Sequence, residues 1–172
     1  MHPDIKLRYR NPVELGWSKM INFNHDFVGK EALKKLVDNP KRMMVTLSWN
    51  KENILDIHAS QYEQGEPYPN MDVPSDKSYH GYYQYHDDQV LKDRKLIGIS
   101  SSRTYSYYYR EMVSLCSIDI EYGDIGTEVI ILWGDPGTRQ KEIQATVTRF
   151  PFFDEGRNQD VDVTKIPRIL KK

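Results

Sequence analysis

The sequence predicts a mainly β fold in which antiparallel strands close into a small barrel or a strongly bent sandwich. Four short runs rich in Ile, Val, Leu and aromatic residues lie at 96–101, 113–120, 127–133 and 143–150. Gly and Pro in segments 122–126 and 134–137 reverse the chain between runs. Because an open sheet edge exposes unpaired backbone groups, a fifth run at 43–49 is expected to close the sheet.

Residues 1–42 are predicted to form a hinge segment that carries one short helix. Residues 1–11 are polar and basic, and the Asn11-Pro12 step disfavours regular structure. Between residues 30 and 37 the apolar positions recur at helical spacing, and Asn39-Pro40 ends the pattern. A helix of about two turns is unstable alone in water, so we expect its apolar face to pack on the barrel.

Residues 43–172 are predicted to be the barrel domain, interrupted by a long tyrosine-rich insertion at 50–93 and followed by a C-terminal tail. Six of the twelve tyrosines lie in this insertion, with prolines at 67, 69 and 74. We expect no long helix there, only one or two turns within 59–64. Two interpretations stand: the tyrosines cover an interface or a ligand, or they pack on their own barrel.

Charge and composition exclude several classes of partner and compartment. Lys and Arg total 24 against 25 Asp and Glu, and residues 50–93 hold three basic side chains against nine acidic ones. Nucleic-acid binding is therefore not expected, since phosphate contacts need clustered basic residues. No run has the apolar length of a membrane span, and the N-terminus lacks a signal-peptide core, which favours a cytoplasmic protein. The single cysteine, Cys116, lies in an apolar strand pattern and is expected to be a buried thiol.

No motif in the chain predicts a self-contained active site or a metal site. His80 and His86 precede two aspartates, but they are too far apart in a strand to share one ion, and no third ligand is placed by spacing. The serines at 100–102 are not in a nucleophile-elbow context, and 134–137 has neither the length nor the lysine of a phosphate-binding loop. The acidic side chains at 119–124 fit a solvated strand end. No residue is assigned as catalytic.

The order of several short motifs resembles the aminomethyltransferase family, to which the glycine-cleavage T-protein belongs. Each motif is weak alone, and their shared order carries the resemblance; they lie at 9–17, 26–33, 98–106, 114–118, 126–129 and 151–154. The resemblance implies the family's C-terminal domain, a Greek-key-like antiparallel barrel. Residues 65–68, 71–74 and 131–136 look most like the tetrahydrofolate-dependent O-demethylases that act on vanillate- and syringate-type compounds.

The resemblance also implies a partner and a cofactor. The family's large N-terminal catalytic region has no counterpart in these 172 residues. It would build the folate site, which the barrel closes, and the full-length enzyme would take a small-molecule methyl or aminomethyl donor. By itself the chain is expected to be inactive and to bind tetrahydrofolate weakly or not at all. The alternative is a free-standing β-barrel module that binds a protein through its tyrosine-rich segment.

Two residues are candidates for contact with the cofactor. Arg157 follows the final Pro-Phe motif, where the family has an arginine or tyrosine, and its guanidinium suits a folate or substrate carboxylate. It is equally well interpreted as a solvated arginine in a polar tail. Trp17, in the hinge, can stack on folate, although burial between the helix and the barrel is the favoured interpretation.

Overall fold

The computed structural model is a closed barrel of six antiparallel strands with two short helices, and it describes residues 9–71, 87–153 and residue 162. The strands are β1 (Arg42–Trp49), β2 (Asp88–Lys92), β3 (Lys95–Ser106), β4 (Glu111–Asp119), β5 (Glu128–Trp133) and β6 (Lys141–Thr148). The helices are α1 (Lys30–Asp38) and α2 (Lys51–Ala59). All five predicted strands are present, with bounds shifted by a few residues.

The strands follow the order β1-β4-β3-β2-β5-β6, and β6 pairs with β1 to complete the ring. Strands β2, β3 and β4 form a meander, whereas β1 lies between β4 and β6 and β2 lies between β3 and β5. The pairs β1/β4, β1/β6 and β2/β5 join strands that are not consecutive in the chain, as in a Greek key. The predicted antiparallel barrel is therefore confirmed, and so is the role of segment 43–49 in closing it.

The barrel is filled by alternating side chains of its strands, as a period of two requires. In β6 the inward residues are Ile143, Ala145 and Val147, all of which are buried. Cys116 on β4 is fully buried as well, and burial raises the pKa of its thiol to about 12. The prediction of a buried, unpaired thiol is confirmed.

The predicted short helix is confirmed as α1, but a second helix, α2, was missed at the start of the segment expected to be irregular. Helix α2 is capped by Asn50, whose side-chain oxygen accepts from the backbone N–H of Asn53 at 3.0 Å. Its residue Ile57 is fully buried. The same segment ends in β2, which was also missed because it contains few apolar residues. Its strand conformation is stabilised by pairing with both β3 and β5.

Helix α1 forms where its periodicity predicted, but none of its residues is buried. The expected packing of its apolar face on the barrel is therefore partial at most. Both helices have nine residues, and in the described ranges no helix is long and apolar enough to cross a bilayer.

Candidate functional site

A group of polar and aromatic side chains lies at the end of the barrel where β1 and β5 finish. Trp49 is the last residue of β1, Trp133 the last of β5, and Asp88 the first of β2. Arg103 joins them from β3, and Ser114 from β4. We call these five residues the Trp–Arg cluster. Four of the five come from strand ends or from an irregular stretch of strand, where the backbone can direct a side chain out of the regular pattern.

Arg103 owes its position to a bulge in β3. The register of β3 against β4 shifts around Ser102, whose φ of 53° lies in the left-handed region. A bulge re-aims the neighbouring side chain. The guanidinium carbon of Arg103 lies 4.6 Å from the ring centroid of Trp133 and 6.0 Å from that of Trp49. The two indoles meet edge to face at 6.3 Å, so the cation lies against an aromatic wall.

The aromatic wall is held by buried hydrogen bonds. Trp49 donates from Nε1 to the Oγ of Ser114 at 2.9 Å, and the Oγ of Ser100 donates to the same atom at 2.8 Å. Both serines are buried. Because a buried indole N–H left without a partner is costly, these two linked hydrogen bonds fix the orientation of Trp49.

Asp88 is a buried carboxyl that lies near enough to Arg103 to feel its positive charge. Burial raises its pKa to about 7, and the charges of Asp87 and Asp135 act in the same direction. The positive charge of Arg103 opposes that rise. The carboxyl of Asp88 therefore exchanges a proton near neutral pH, which is a property common in binding and catalytic sites.

A loop from residues 65–71 closes against this end of the barrel. Trp133 donates from Nε1 to the backbone carbonyl of Pro69 at 2.8 Å. Gly134 adopts a φ of 102°, and a Cβ there would lie 3.2 Å from the Cγ of Pro69. The loop thus carries one of the stretches that resemble the O-demethylases, 65–68, and through Pro69 it contacts another, 131–136, beside the Trp–Arg cluster.

Cations from β6 and from the turn before it contact this loop. The guanidinium of Arg139 lies 3.9 Å from the ring centroid of Tyr68 and donates from Nη1 to the carbonyl of Glu66 at 2.9 Å. Lys141 lies 5.2 Å from the same ring and forms an ion pair with Asp56 of α2, whose hydrogen bond raises the pKa of that lysine. These contacts connect the loop, helix α2 and the barrel to one another.

Of the two predicted cofactor contacts, the structure describes only Trp17. Trp17 is 53% exposed, so its favoured burial between helix and barrel is not what the structure shows. Arg157, His80 and His86 lie outside the described residues. Within those ranges no group of three His, Cys, Asp or Glu side chains could hold a metal ion.

Sequence reasoning missed the central members of the cluster. The strand predicted at 96–101 stops short of this residue, whereas β3 continues to Ser106 and carries Arg103. Asp88 was interpreted with the neighbouring histidines, and its strand was not predicted. A tryptophan at the end of each of two apolar runs, at 49 and 133, was the available signal, because large aromatic side chains at strand ends cover the end of a barrel.

The cluster places a guanidinium, two indoles and a carboxyl at one end of the barrel. Trp49 and Trp133 are each only 4% exposed, so their rings pack against Arg103 and the core and leave no open face for a ligand to stack on. A guanidinium can recognise a carboxylate through paired hydrogen bonds. Asp88 adds a carboxyl that can take up or release one proton near neutrality.

Comparison with known proteins gives relatives that align with most of this chain, but the aligned region is only part of each relative's own length. No protein-family model matches. A sesamin methylene transferase from Sinomonas sp. is 45% identical over 96% of this chain, and a syringate O-demethylase from Sphingobium sp. is 36% identical over 88%. An aminomethyltransferase from Oceanobacillus iheyensis is 31% identical over 86%. The chain spans 38%, 34% and 31% of these relatives, about a third of their length.

A solved structure also resembles the chain. It is the glycine cleavage system aminomethyltransferase T from Bartonella henselae, with a TM-score of 0.48 and 18% sequence identity. The match covers 83% of this chain and 32% of that one.

Proposed function

The chain belongs to the aminomethyltransferase family, and we propose that it is the C-terminal barrel domain of a folate-dependent enzyme that moves a one-carbon unit. In this proposal the barrel closes a folate site that is built mainly by a region outside these 172 residues. The donor is a small molecule whose methyl, methylene or aminomethyl group is transferred.

The observation that carries the proposal is the pattern of coverage. Identities of 45% and 36% extend along 96% and 88% of the chain, yet the chain spans only 38% and 34% of those two relatives. Their names describe transfer of a methylene unit from sesamin and removal of a methyl group from syringate oxygen. We therefore extend the same class of donor, an aromatic compound bearing a one-carbon unit on oxygen, to the enzyme of which this barrel is a part.

We infer that the described residues contribute to one end of a tetrahydrofolate site and not to the whole of it. The cofactor, when bound, accepts the one-carbon unit at its N5 atom. Arg103, held against two indoles, suits a carboxylate of the folate glutamate or of the donor. Trp17 and Arg157 remain the two residues that the sequence predicts to contact the folate. The pteridine needs convergent polar groups in a sheltered pocket, and in this proposal the rest of the enzyme supplies them.

Calorimetry on the chain alone tests where the folate site lies. Tetrahydrofolate should give no measurable binding in the micromolar range, because a partly exposed ion pair is worth only about 0–1 kcal/mol. Micromolar binding to the isolated chain would show that the barrel holds the site by itself.

A full-length chimera tests the function. In the sesamin relative, the portion matched by this chain is replaced with residues 1–172. We expect methylene transfer from sesamin to tetrahydrofolate at a rate within about tenfold of the parent, since the two barrels share 45% identity. A folded chimera that binds no tetrahydrofolate would instead support the free-standing interaction module.

A further inference from the structure

We propose that an exposed aromatic face on the barrel is the surface on which the rest of the enzyme docks. This inference rests on the proposed function. The aromatic face consists of Tyr105, Tyr107, Tyr108, Phe150 and Phe153. Its occupant is the part of the polypeptide that the relatives have and this chain does not match.

The face is built from two neighbouring segments. One is the turn between β3 and β4, where Tyr107 is 82% and Tyr108 60% exposed. The other is the segment that follows β6, whose Phe150 and Phe153 are each 39% exposed. The ring of Tyr105 meets that of Tyr107 at 5.1 Å. Contiguous exposed aromatic side chains are uncommon on proteins that act alone, and tyrosine and phenylalanine are enriched in the cores of interfaces.

Contacts between the two segments give the face a fixed shape. The ring of Tyr108 lies 5.3 Å from that of Phe153, and Tyr109 packs beneath on Phe152 at 4.8 Å. Arg149 donates from Nη2 to the hydroxyl of Tyr109 at 3.3 Å and from Nε to the carbonyl of Phe152 at 2.9 Å. Because these rings are already ordered, docking on them costs little conformational entropy.

The route of the chain favours the rest of the enzyme over a second copy of the barrel. The hinge passes directly beside the face, since a Cβ on Gly16 would lie 2.6 Å from Cε1 of Phe150. Immediately along the hinge, Trp17 and Met20 are also exposed. The chain spans only 38% of the sesamin relative, so most of such a polypeptide lies outside it. A region joined through this hinge would be tethered next to the face at high effective concentration.

Tyrosine nitration by tetranitromethane, followed by peptide mass spectrometry, tests the proposal. The isolated chain is compared with the full-length chimera described above. We expect Tyr107 and Tyr108 to react at least tenfold more slowly in the chimera, because the docked region covers them. Tyr62, 92% exposed and outside the aromatic face, is the matched control and should react at the same rate in both.

Each outcome decides the proposal. Equal nitration of Tyr107 in an active chimera overturns the docking surface and leaves the proposed function standing. Equal nitration in an inactive chimera overturns both. In the isolated chain, the nitration of Tyr108 could slow as the protein concentration rises. If this protection disappears in the variant Tyr107→Ser, a second copy of the chain is the occupant.

A second arrangement covers failure of the chimera to fold. This chain is then co-expressed with the unmatched part of the sesamin relative, and the same labelling is applied to any complex that purifies. A complex in which Tyr107 is protected and Tyr62 is not supports the proposal. Absence of a complex counts against it.

Discussion

Replacing Asp88 with asparagine should remove a pH dependence from the stability of the barrel. Burial holds the pKa of this carboxyl at about 7, against an ordinary aspartate pKa of 3.8, a difference of about three pH units. At about 1.4 kcal/mol per unit, ionising Asp88 in the folded protein costs about 4 kcal/mol more than in the unfolded chain. That cost already includes the attraction of Arg103 and the repulsion of Asp87 and Asp135.

The sign follows from proton binding. Between about pH 4 and pH 7 the folded protein keeps a proton on Asp88 that the unfolded chain has released. The free energy of unfolding therefore falls as pH rises through this window and becomes level above it. Asparagine cannot ionise, so Asp88→Asn should match the wild type near pH 4 and exceed it by up to about 4 kcal/mol at pH 8.

Urea denaturation of both proteins at intervals from pH 4 to pH 8 measures this difference. Asp124→Asn, which removes an exposed carboxylate from the turn between β4 and β5, is the control and should follow the wild-type profile. Parallel profiles for Asp88→Asn and the wild type would refute the reasoning, since they would mean that Asp88 releases its proton equally easily in both states.

Two further predictions concern the hinge and the core. Gly16→Ala should lower the free energy of unfolding by more than about 1 kcal/mol beyond Gly137→Ala, because both glycines have positive φ but only the first would press a Cβ against Phe150; equal thermal shifts would disprove this. Cys116 should react with a thiol reagent only at the rate of global unfolding, because burial raises its pKa to about 12; rapid labelling of the native protein would contradict it.

Five of the six strands were predictable because each of them carries its own hydrophobic pattern. Residues 43–49 and 143–150 alternate or cluster apolar side chains strongly enough to specify strands in isolation. Strand β2 does not, since its order comes from hydrogen bonds to β3 on one side and β5 on the other. Helix α2 was missed because the same segment contains prolines at 67, 69 and 74, which disfavour a helix. The helix ends at Ala59, before the first of them.

The Trp–Arg cluster could not be predicted from spacing. Arg103 reaches it through a bulge at Ser102, and a bulge depends on the partner strand and not on the local sequence. Asp88 becomes unusual only because the barrel buries it. Residues 65–68 and 131–136, by contrast, resemble one group of enzymes in sequence, and the structure places the loop that carries the first stretch against the second.

The pairing of the first strand with the last has a consequence for how the polypeptide acquires its structure. Thr46 and Thr148 are directly opposed, so the final seam joins residues 102 positions apart in the chain. Loops of that length make native pairing slow. During synthesis the seam cannot form until β6 has left the ribosome, and until then β1 exposes one unpaired edge. The barrel therefore cannot close before β6 has been synthesised.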